Sequence, residues 1–392
     1  MRFGYLLLAS LLVFSCNKVR KNFKATFQDG VFNEPNCVLQ LTDGSYLLAG
    51  YNIEKDDPNQ PEMPYRIMLV KTDASGNLDW QKTLALTEYD EAIAALAEKD
   101  GIVITGQTAS GEGDMDMLLA KINEKGDTLW VKAIGSQLDE RGNAIITAHG
   151  GGYLIAGASG VFDMFDPNLP KQLLIAKTDV KGNAVWAKTY PSSQHVEAKD
   201  VKLTGNGYIV AANASDTSSK LSSIMLLHLN QQGDTLWTQA IGDSSHHFYA
   251  NSIEASTDGG YVVAGLKRPL GGNTQGIVLI KVNAQGRIQW QKDYSGRLPQ
   301  EIGGMSLLQN EGYILAGSIF NPENSGNNIY LIKTNEQGDT LWTHTYASEN
   351  SETVRDILVA KDQGICIVGA HEVQNQSSIF FLKVDEKGML ME

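Results

Sequence analysis

Cysteine, proline and positive charge are all scarce in this sequence. The 392 residues include only 3 cysteines and 10 prolines, and the 32 lysines and arginines are outnumbered by 45 aspartates and glutamates. Three cysteines are too few for a disulfide framework or for clustered zinc sites. None of the prolines interrupts a predicted strand, as a sheet requires. The formal net charge of −13 argues against a nucleic-acid partner and is typical of a well-solvated monomer.

Motifs of known chemistries are missing as well. The sequence has no G-x-S-x-G nucleophile elbow, no H-E-x-x-H zinc motif, and no glycine-rich loop before a helix that could hold a phosphate. Asp114-Met115-Asp116 is the nearest approach to a calcium loop, and it lacks the further ligands. The adjacent His246 and His247 do not by themselves make a metal site. The sequence therefore predicts no cofactor, no metal and no catalytic residue.

A repeat marked by tryptophan is what the chain does have. The six tryptophans are 50 to 56 residues apart, and each follows a glycine by four residues. The pairs are Gly76 and Trp80, Gly126 and Trp130, Gly182 and Trp186, Gly233 and Trp237, Gly286 and Trp290, and Gly338 and Trp342. Gly388 marks a seventh copy. A period of this length is typical of solenoids, propellers and arrays.

Each copy contains four short runs rich in valine, isoleucine, threonine and aromatic residues, separated by glycine-containing turns. Such runs predict β-strands, and four of them in about 50 residues predict a propeller blade. The seventh copy lacks its fourth strand, but Phe23–Phe27 aligns with the fourth strand at Trp186–Tyr190. We therefore predict an all-β, seven-bladed propeller of four-stranded antiparallel blades. The N-terminal strand completes blade seven and closes the ring, and the tryptophans pack between blades.

The repeat unit at Asp258–Lys292, DGGYVVAG…LIKVNAQG…WQK, resembles the secreted bacterial seven-bladed β-propeller repeats of the SBBP type. The resemblance covers residues 23–392. The expected organisation is a signal peptide at 1–15, a tether at 16–22 and one propeller at 23–392. The resemblance implies this architecture and no shared reaction, because a fold does not determine a function.

The first residues predict an export signal. Arg2 precedes an apolar run, Tyr5–Phe14, that is far shorter than the roughly 20 residues of a membrane-spanning helix. Val13-Phe14-Ser15-Cys16 is similar to a bacterial lipobox, which predicts a lipid on Cys16 and contact with a membrane through it. Asn17 favours the outer membrane, on its periplasmic or surface side. An ordinary signal peptide, cleaved nearby, is the alternative.

Two connections between the second and third strands of a copy are long, Asn52–Tyr65 and Ser159–Lys171. In a blade, these connections share one face, here called the top face, with the loops that lead to the next blade. Loops of variable length on a rigid scaffold are common binding sites, although they can also be tolerated insertions. The candidate binding residues in these two loops are Asp56, Asp57, Tyr65, Phe162, Asp163, Phe165 and Asp166.

In six of the seven blades a glutamate recurs ten or eleven residues after the tryptophan or Phe23, where the first strand of the next blade begins, and a histidine takes that position in the other blade. The positions are Glu34, Glu91, Glu140, Glu197, His247, Glu301 and Glu352. We expect them to circle the top of the central channel. Each acid could accept backbone N–H groups of the next blade and fix the joint. Alternatively, the ring could bind a cation or a basic group, tuned by protonation of His247 near pH 6.

Cys37 and Cys366 are predicted on strands that are not neighbours, so two buried free thiols are expected rather than a disulfide. Together these features predict an exported, lipid-anchored binding or scaffold module at the bacterial envelope, with a protein or glycan partner on the top face. One alternative is an enzyme acting on an extracellular polymer such as a glycan. Another is a purely structural subunit of an envelope complex.

Overall fold

The computed structural model describes residues 22–28, 32–53, 65–109, 114–160, 170–216, 219, 221–308, 311–323, 325–373 and 376–390. These residues form 28 β-strands in seven four-stranded antiparallel sheets. The predicted all-β, seven-bladed propeller is therefore confirmed.

The strands follow one another along the chain, four to a blade, with β1 set apart at the N-terminus. Blade one holds β2 (Phe32–Gln40), β3 (Tyr46–Ile53), β4 (Tyr65–Thr72) and β5 (Leu78–Leu84); blade two β6 (Asp90–Glu98), β7 (Gly101–Ala109), β8 (Met115–Ile122) and β9 (Thr128–Ile134); blade three β10 (Asp139–Thr147), β11 (Tyr153–Gly160), β12 (Lys171–Thr178) and β13 (Ala184–Tyr190); blade four β14 (His195–Thr204), β15 (Gly207–Ser215), β16 (Ser222–Asn230) and β17 (Thr235–Ile241); blade five β18 (His246–Ala255), β19 (Tyr261–Pro269), β20 (Gly276–Val282) and β21 (Ile288–Asp293); blade six β22 (Gln300–Leu308), β23 (Gly312–Asn321), β24 (Gly326–Thr334) and β25 (Thr340–Tyr346); blade seven β26 (Ser351–Val359), β27 (Ile365–Val373), β28 (Gln376–Val384) and β1 (Phe23–Phe27).

The position of a strand within its blade sets its burial. The first strand of each blade packs against the first strands of both neighbouring blades, so these seven strands surround a central channel. Second strands lie between two flanking blades, and β11 is buried along its whole length. Fourth strands lie at the rim, and β13 has no fully buried residue. The second and third strands therefore read as continuous apolar runs, because both of their faces are covered.

The N-terminal strand closes the ring as predicted. β1 pairs with β28 in antiparallel register, with Phe23 opposite Lys383. In blade three, Trp186 stands opposite Lys177 in the same way, so Phe23 occupies the tryptophan position of blade seven. Its ring packs edge-on against Phe381, with the ring centroids 4.9 Å apart. This pairing covers the edge of β28, which an open ring would expose.

The tryptophans do pack between blades, and the recurring glycines are their contact points. A Cβ placed on Gly182 would lie 2.6 Å from Trp130 of the preceding blade, and one on Gly76 would lie 2.3 Å from Phe23. These glycines also have positive φ, +78° at Gly182, because each lies in a tight hairpin turn. An ion pair accompanies three of these contacts, as between Lys188 Nζ and Asp234 Oδ1 at 2.7 Å. The glycine-tryptophan spacing is therefore a joint between consecutive blades.

A β-bulge interrupts the first strand of every blade, where the pairing with the second strand shifts register. The bulged residues are Asn36, Ile93, Asn143, Lys199, Asn251, Gly303 and Arg355. The prediction that no proline lies inside a strand is wrong at Pro35, which is within β2 beside the bulge, and at Pro269, which is the last residue of β19. A bulge is one of the few places in a sheet that tolerates proline.

Both cysteines in the described part of the chain, Cys37 and Cys366, are free and buried, as expected. The reasoning behind that prediction was wrong, since their strands β2 and β27 pack against each other across the junction of blades one and seven. Among the described residues, no helix is long and apolar enough to cross a membrane.

Candidate binding site at the central channel

The central channel has a volume of about 480 Å³, and all seven bulged residues line it. A bulge changes the direction of the side chains beside it. Here the bulges lie at equivalent positions of the first strand in every blade. The channel is therefore the place where the repeat brings side chains of all blades together.

The seven residues predicted to circle the channel mouth do not share one structural position. Glu34, Glu91, Glu197 and Glu301 each lie two residues before the bulge of their strand. Glu140 and Glu352 lie three residues before it, and His247 lies four before it. Side chains of successive strand residues point to opposite faces. The six glutamates therefore do not form a single ring.

Three of the four glutamates that share a position hold two blades together. Glu34 pairs with Arg355 of blade seven at 3.0 Å. The two carboxylate oxygens of Glu91 accept hydrogen bonds from Nη2 of Arg141 in blade three, at 3.0 and 3.1 Å. Glu197 accepts Asn143 of blade three at 2.9 Å. Glu301 is exposed. The joint hypothesis expected backbone N–H donors, but the donors here are side chains.

These partners shift the acid titrations in different directions. Burial opposes ionisation of Glu197, but the charge and hydrogen bond of Lys199 at 2.9 Å, together with the charges of Lys171 and Arg141, outweigh burial and lower the pKa of Glu197 to about 2. Burial raises the pKa of Glu34 despite the opposing charge of Arg355. The joints of Glu34 with Arg355 and of Glu91 with Arg141 are thus ion pairs partly removed from water, where losing one partner costs more than the pair contributes. The joint of Glu197 with Asn143 is a hydrogen bond to a carboxylate.

Glu140 and Glu352 point into their own blades. Glu140 accepts the backbone N–H of Ser136 at 2.9 Å and the hydroxyl of Ser159 at 2.7 Å. Glu352 lies 3.8 Å from His371, and its buried Oε2 has no hydrogen-bond partner among the described residues. Burial raises the pKa of Glu352. Neither side chain contributes to the channel lining.

His247 lies at the start of β18 and stacks on Tyr249, with centroids 6.1 Å apart. Burial, and then the charge of Arg268, lower the pKa of His247. This direction disfavours protonation at pH 6, which the idea of a tuned cation site requires. Tyr249, two residues before its bulge, takes the position that glutamate has in four other blades.

Two aspartates that the sequence analysis did not single out bind backbone N–H groups of the next blade. Asp200 accepts the N–H of Ile253 at 3.0 Å, and Asp356 accepts the N–H of Val38 at 2.9 Å. Both follow a bulge directly. Asp200 also contacts Lys202 Nζ at 3.3 Å. Burial raises the pKa of Asp356 to about 7.

Replacing Asp356 by asparagine should flatten the pH dependence of stability. The folded pKa of about 7 lies above the ordinary value of 3.8, so the folded chain retains a proton that the unfolded chain releases. Stability therefore falls as pH rises from about 4 to about 7 and is constant above that. In the wild type this proton makes the free energy of unfolding larger at pH 5 than at pH 8, by on the order of a few kcal/mol. Asp356→Asn should remove that difference, which urea unfolding at the two pH values measures. Leu236→Ser, at an exposed and uncharged position of β17, is the control and should keep the wild-type slope. An unaltered slope in Asp356→Asn would contradict the prediction.

A row of tyrosines lies at the top of the channel, over blades one and two. Tyr51 and Tyr65 have ring centroids 4.9 Å apart, and Tyr65 stacks on Tyr89 at 4.6 Å with a 25° interplanar angle. All three are half-buried. Burial raises the pKa of Tyr89, and the nearby Glu91 raises it further while Arg141 opposes this. We call Tyr51, Tyr65, Tyr89, Glu91 and Arg141 the mouth cluster.

The mouth cluster joins two predicted site residues, Glu91 and Tyr65, to three that the sequence analysis missed. Tyr51 follows the last glycine of a second strand, Tyr89 precedes Asp90-Glu91, and Arg141 follows Glu140. Of these, only Arg141 carried a usable signal, since it adjoins the recurring acid. The predicted residues Cys16, Asp56, Asp57, Phe162, Asp163, Phe165 and Asp166 lie outside the described residues. Binding by any of these positions stays a prediction.

Within the described ranges, no three histidine, cysteine, aspartate or glutamate side chains stand close enough to hold a metal ion. The acids of the channel mouth are instead separated by arginine, lysine and asparagine donors. This placement gives the cation hypothesis no cluster among these residues.

No family model and no curated protein matches this chain. Solved structures do match it. The β-propeller domain of the trilobed protease from Pyrococcus furiosus, described as having an open velcro topology, is 12% identical with a TM-score of 0.51, covering 92% of this chain and 97% of that one. Acylaminoacyl peptidase from Pyrococcus horikoshii is 11% identical with a TM-score of 0.51, covering 91% of this chain but only 52% of that one. At such identities these likenesses show the propeller fold alone.

Proposed function

We propose that this chain is an exported, lipid-anchored propeller that acts as a binding module at the bacterial envelope, and that it binds its partner at the top of the central channel. The mouth cluster is the observation that carries the proposal. It places three tyrosines beside the ion pair of the buried Glu91 with the partly exposed Arg141, where the channel opens on the top face.

The residue types of the mouth cluster support a binding role. Tyrosine offers an apolar ring and a polar tip, and tyrosine and arginine are enriched where a few side chains carry most of the binding energy. The Glu91 and Arg141 pair fixes the position of the arginine before any partner arrives. Side chains already ordered lose less entropy on binding. The site is thus prepared for a partner by contacts within the ring.

Truncating two tyrosines should abolish binding without unfolding the ring. Tyr65→Ala with Tyr89→Ala removes two half-buried rings, and we expect capture of a partner from solubilised cell envelopes to fall at least about tenfold. Leu236→Ser, on an exposed position of the outer strand β17, is the control and should leave capture unchanged. Melting curves check that both variants fold. Full capture by the double variant would place the partner elsewhere.

The membrane attachment is tested separately. Cys16→Ser should move the protein from the membrane fraction to the soluble fraction, because acyl chains rather than the acidic propeller would hold it to the lipid. Fractionation followed by immunoblotting measures the change. Membrane retention equal to wild type in Cys16→Ser would contradict the anchor.

A further inference from the structure

We infer that the ligand of the mouth cluster is the end of a neutral oligosaccharide, which enters the channel from the top face. This inference rests on the proposed binding function and names the chemical class of the ligand. Three observations support it: the volume of the central channel, the ion pairs at its upper end, and the polar groups of the mouth cluster that have no hydrogen-bond partner among the described residues.

The size of the channel favours a small molecule or a chain end. Arg141 is the member of the mouth cluster that lines this channel, and the channel volume of about 480 Å³ lies within the roughly 300–1,000 Å³ of typical small-ligand sites. A folded protein partner would instead need a contact surface of roughly 800 Å² on each side. A thin polar chain end can enter such a channel, and a folded domain cannot.

The charges of the upper channel favour a neutral ligand. Glu34 pairs with Arg355 at 3.0 Å, and Glu91 with Arg141 at the same distance. Deeper in the channel, Lys202 lies 3.3 Å from both Asp200 and Glu254. Because opposite charges alternate around the ring, an ion of either sign would meet both attraction and repulsion. A ligand without net charge avoids that cost and can still bind to both groups.

Groups able to recognise hydroxyls remain free at the mouth. The Nε of Arg141 is buried and has no hydrogen-bond partner among the described residues. Across the same residues, no hydrogen bond engages the hydroxyl of Tyr51, Tyr65 or Tyr89. Phenol hydroxyls both donate and accept, the arginine fork donates, and carboxylates accept. A sugar ring carries vicinal hydroxyls that satisfy all three groups, and its C–H faces suit aromatic rings. We therefore favour a saccharide over a peptide, whose backbone offers fewer such groups.

The test uses the mature lipoprotein in detergent and an array of neutral oligosaccharides, each paired with a uronic-acid or sulfated counterpart. We expect retention of neutral members, confirmed by titration calorimetry with the best of them. Tyr89→Phe keeps the ring and loses the hydroxyl, and Arg141→Lys keeps the charge and loses the fork. Each should weaken binding about tenfold, while Leu236→Ser should not. Both variants are conservative, so folding is expected to survive and is checked by thermal melting.

Several outcomes would overturn the inference. These are no retention of any neutral oligosaccharide, retention of acidic members alone, or affinities that neither variant changes. If the tyrosine double variant loses envelope capture while no oligosaccharide competes for it, the ligand is a protein and only this inference falls. If capture itself is indifferent to the mouth cluster, the proposed function falls as well.

Discussion

Deleting residues 16–27 is expected to prevent formation of a stable ring. The deletion removes β1, and with it Phe23 and Phe27, which are both 7% exposed. The loss of one buried phenylalanine side chain costs about 3–5 kcal/mol. The loss of two such side chains approaches the whole free energy of unfolding of a typical domain, which is about 5–15 kcal/mol. The bare edge of β28 would in addition favour aggregation. Circular dichroism melting and size-exclusion chromatography measure both effects.

Deletion of residues 16–21 alone is the matched control, because it leaves β1 intact, and it should keep the wild-type melting temperature. Phe23→Ala covers the case in which the longer deletion yields no protein. It should lower the free energy of unfolding by about 3–5 kcal/mol. A normal melting temperature after loss of residues 16–27 would show that β1 does not close the ring.

The second large effect is expected at the joint between blades. Gly182→Ala should destabilise the propeller twice over, since the residue has φ of +78° and its new Cβ would lie 2.6 Å from Trp130. Gly259 has nearly the same backbone, with φ of +82°, but nothing lies within 4 Å of its Cβ position. Gly259→Ala should therefore cost only the backbone strain, about 1–2 kcal/mol. The clash should add about 1–3 kcal/mol in Gly182→Ala.

Urea titration of the two alanine variants separates the joint from the turn. Equal losses of stability would mean that the glycines recur for turn geometry alone and that the tryptophan contact contributes little. A larger loss in Gly182→Ala identifies the contact as the reason for the spacing of glycine and tryptophan.

The fold could be predicted from the sequence because every blade repeats the same local rules. Strand periodicity and turn glycines are properties of single copies, and they appear seven times. The alignment of Phe23 with Trp186 then shows which strand completes the seventh copy. The sequence did not predict that β2, which carries Cys37, packs against β27, which carries Cys366, because these strands come from opposite ends of the chain. The alignment of Phe23–Phe27 with Trp186–Tyr190 predicts which strand closes the ring, but it does not predict which strands of blades one and seven then pack together.

The channel mouth was only partly predictable, and the reason is one residue of register. Glutamates eleven residues after the repeat aromatic, such as Glu91 after Trp80, share a strand position with Glu197, which lines the channel. Glu140 and Glu352, at ten residues, point into their own blades. A shift of one residue changes the face of a strand. The partners of these acids were hidden as well, since Glu91 and Arg141 are 50 residues apart in sequence. Tyr51 lies in β3 beyond the recurring glycine of that strand, and Tyr89 lies on the connection before β6, so the repeat pattern does not mark either residue.

Hydrogen-exchange mass spectrometry of the full chain with captured partner tests most directly where binding occurs. The account predicts slower exchange in the peptides that contain Tyr51, Tyr89–Glu91 and Glu140-Arg141, all at the top of the channel. The hairpin turns of the opposite face, such as Asp73–Asn77, should exchange as they do in the free protein. Protection confined to those turns or to the outer strands, with none at the mouth cluster, would contradict the account.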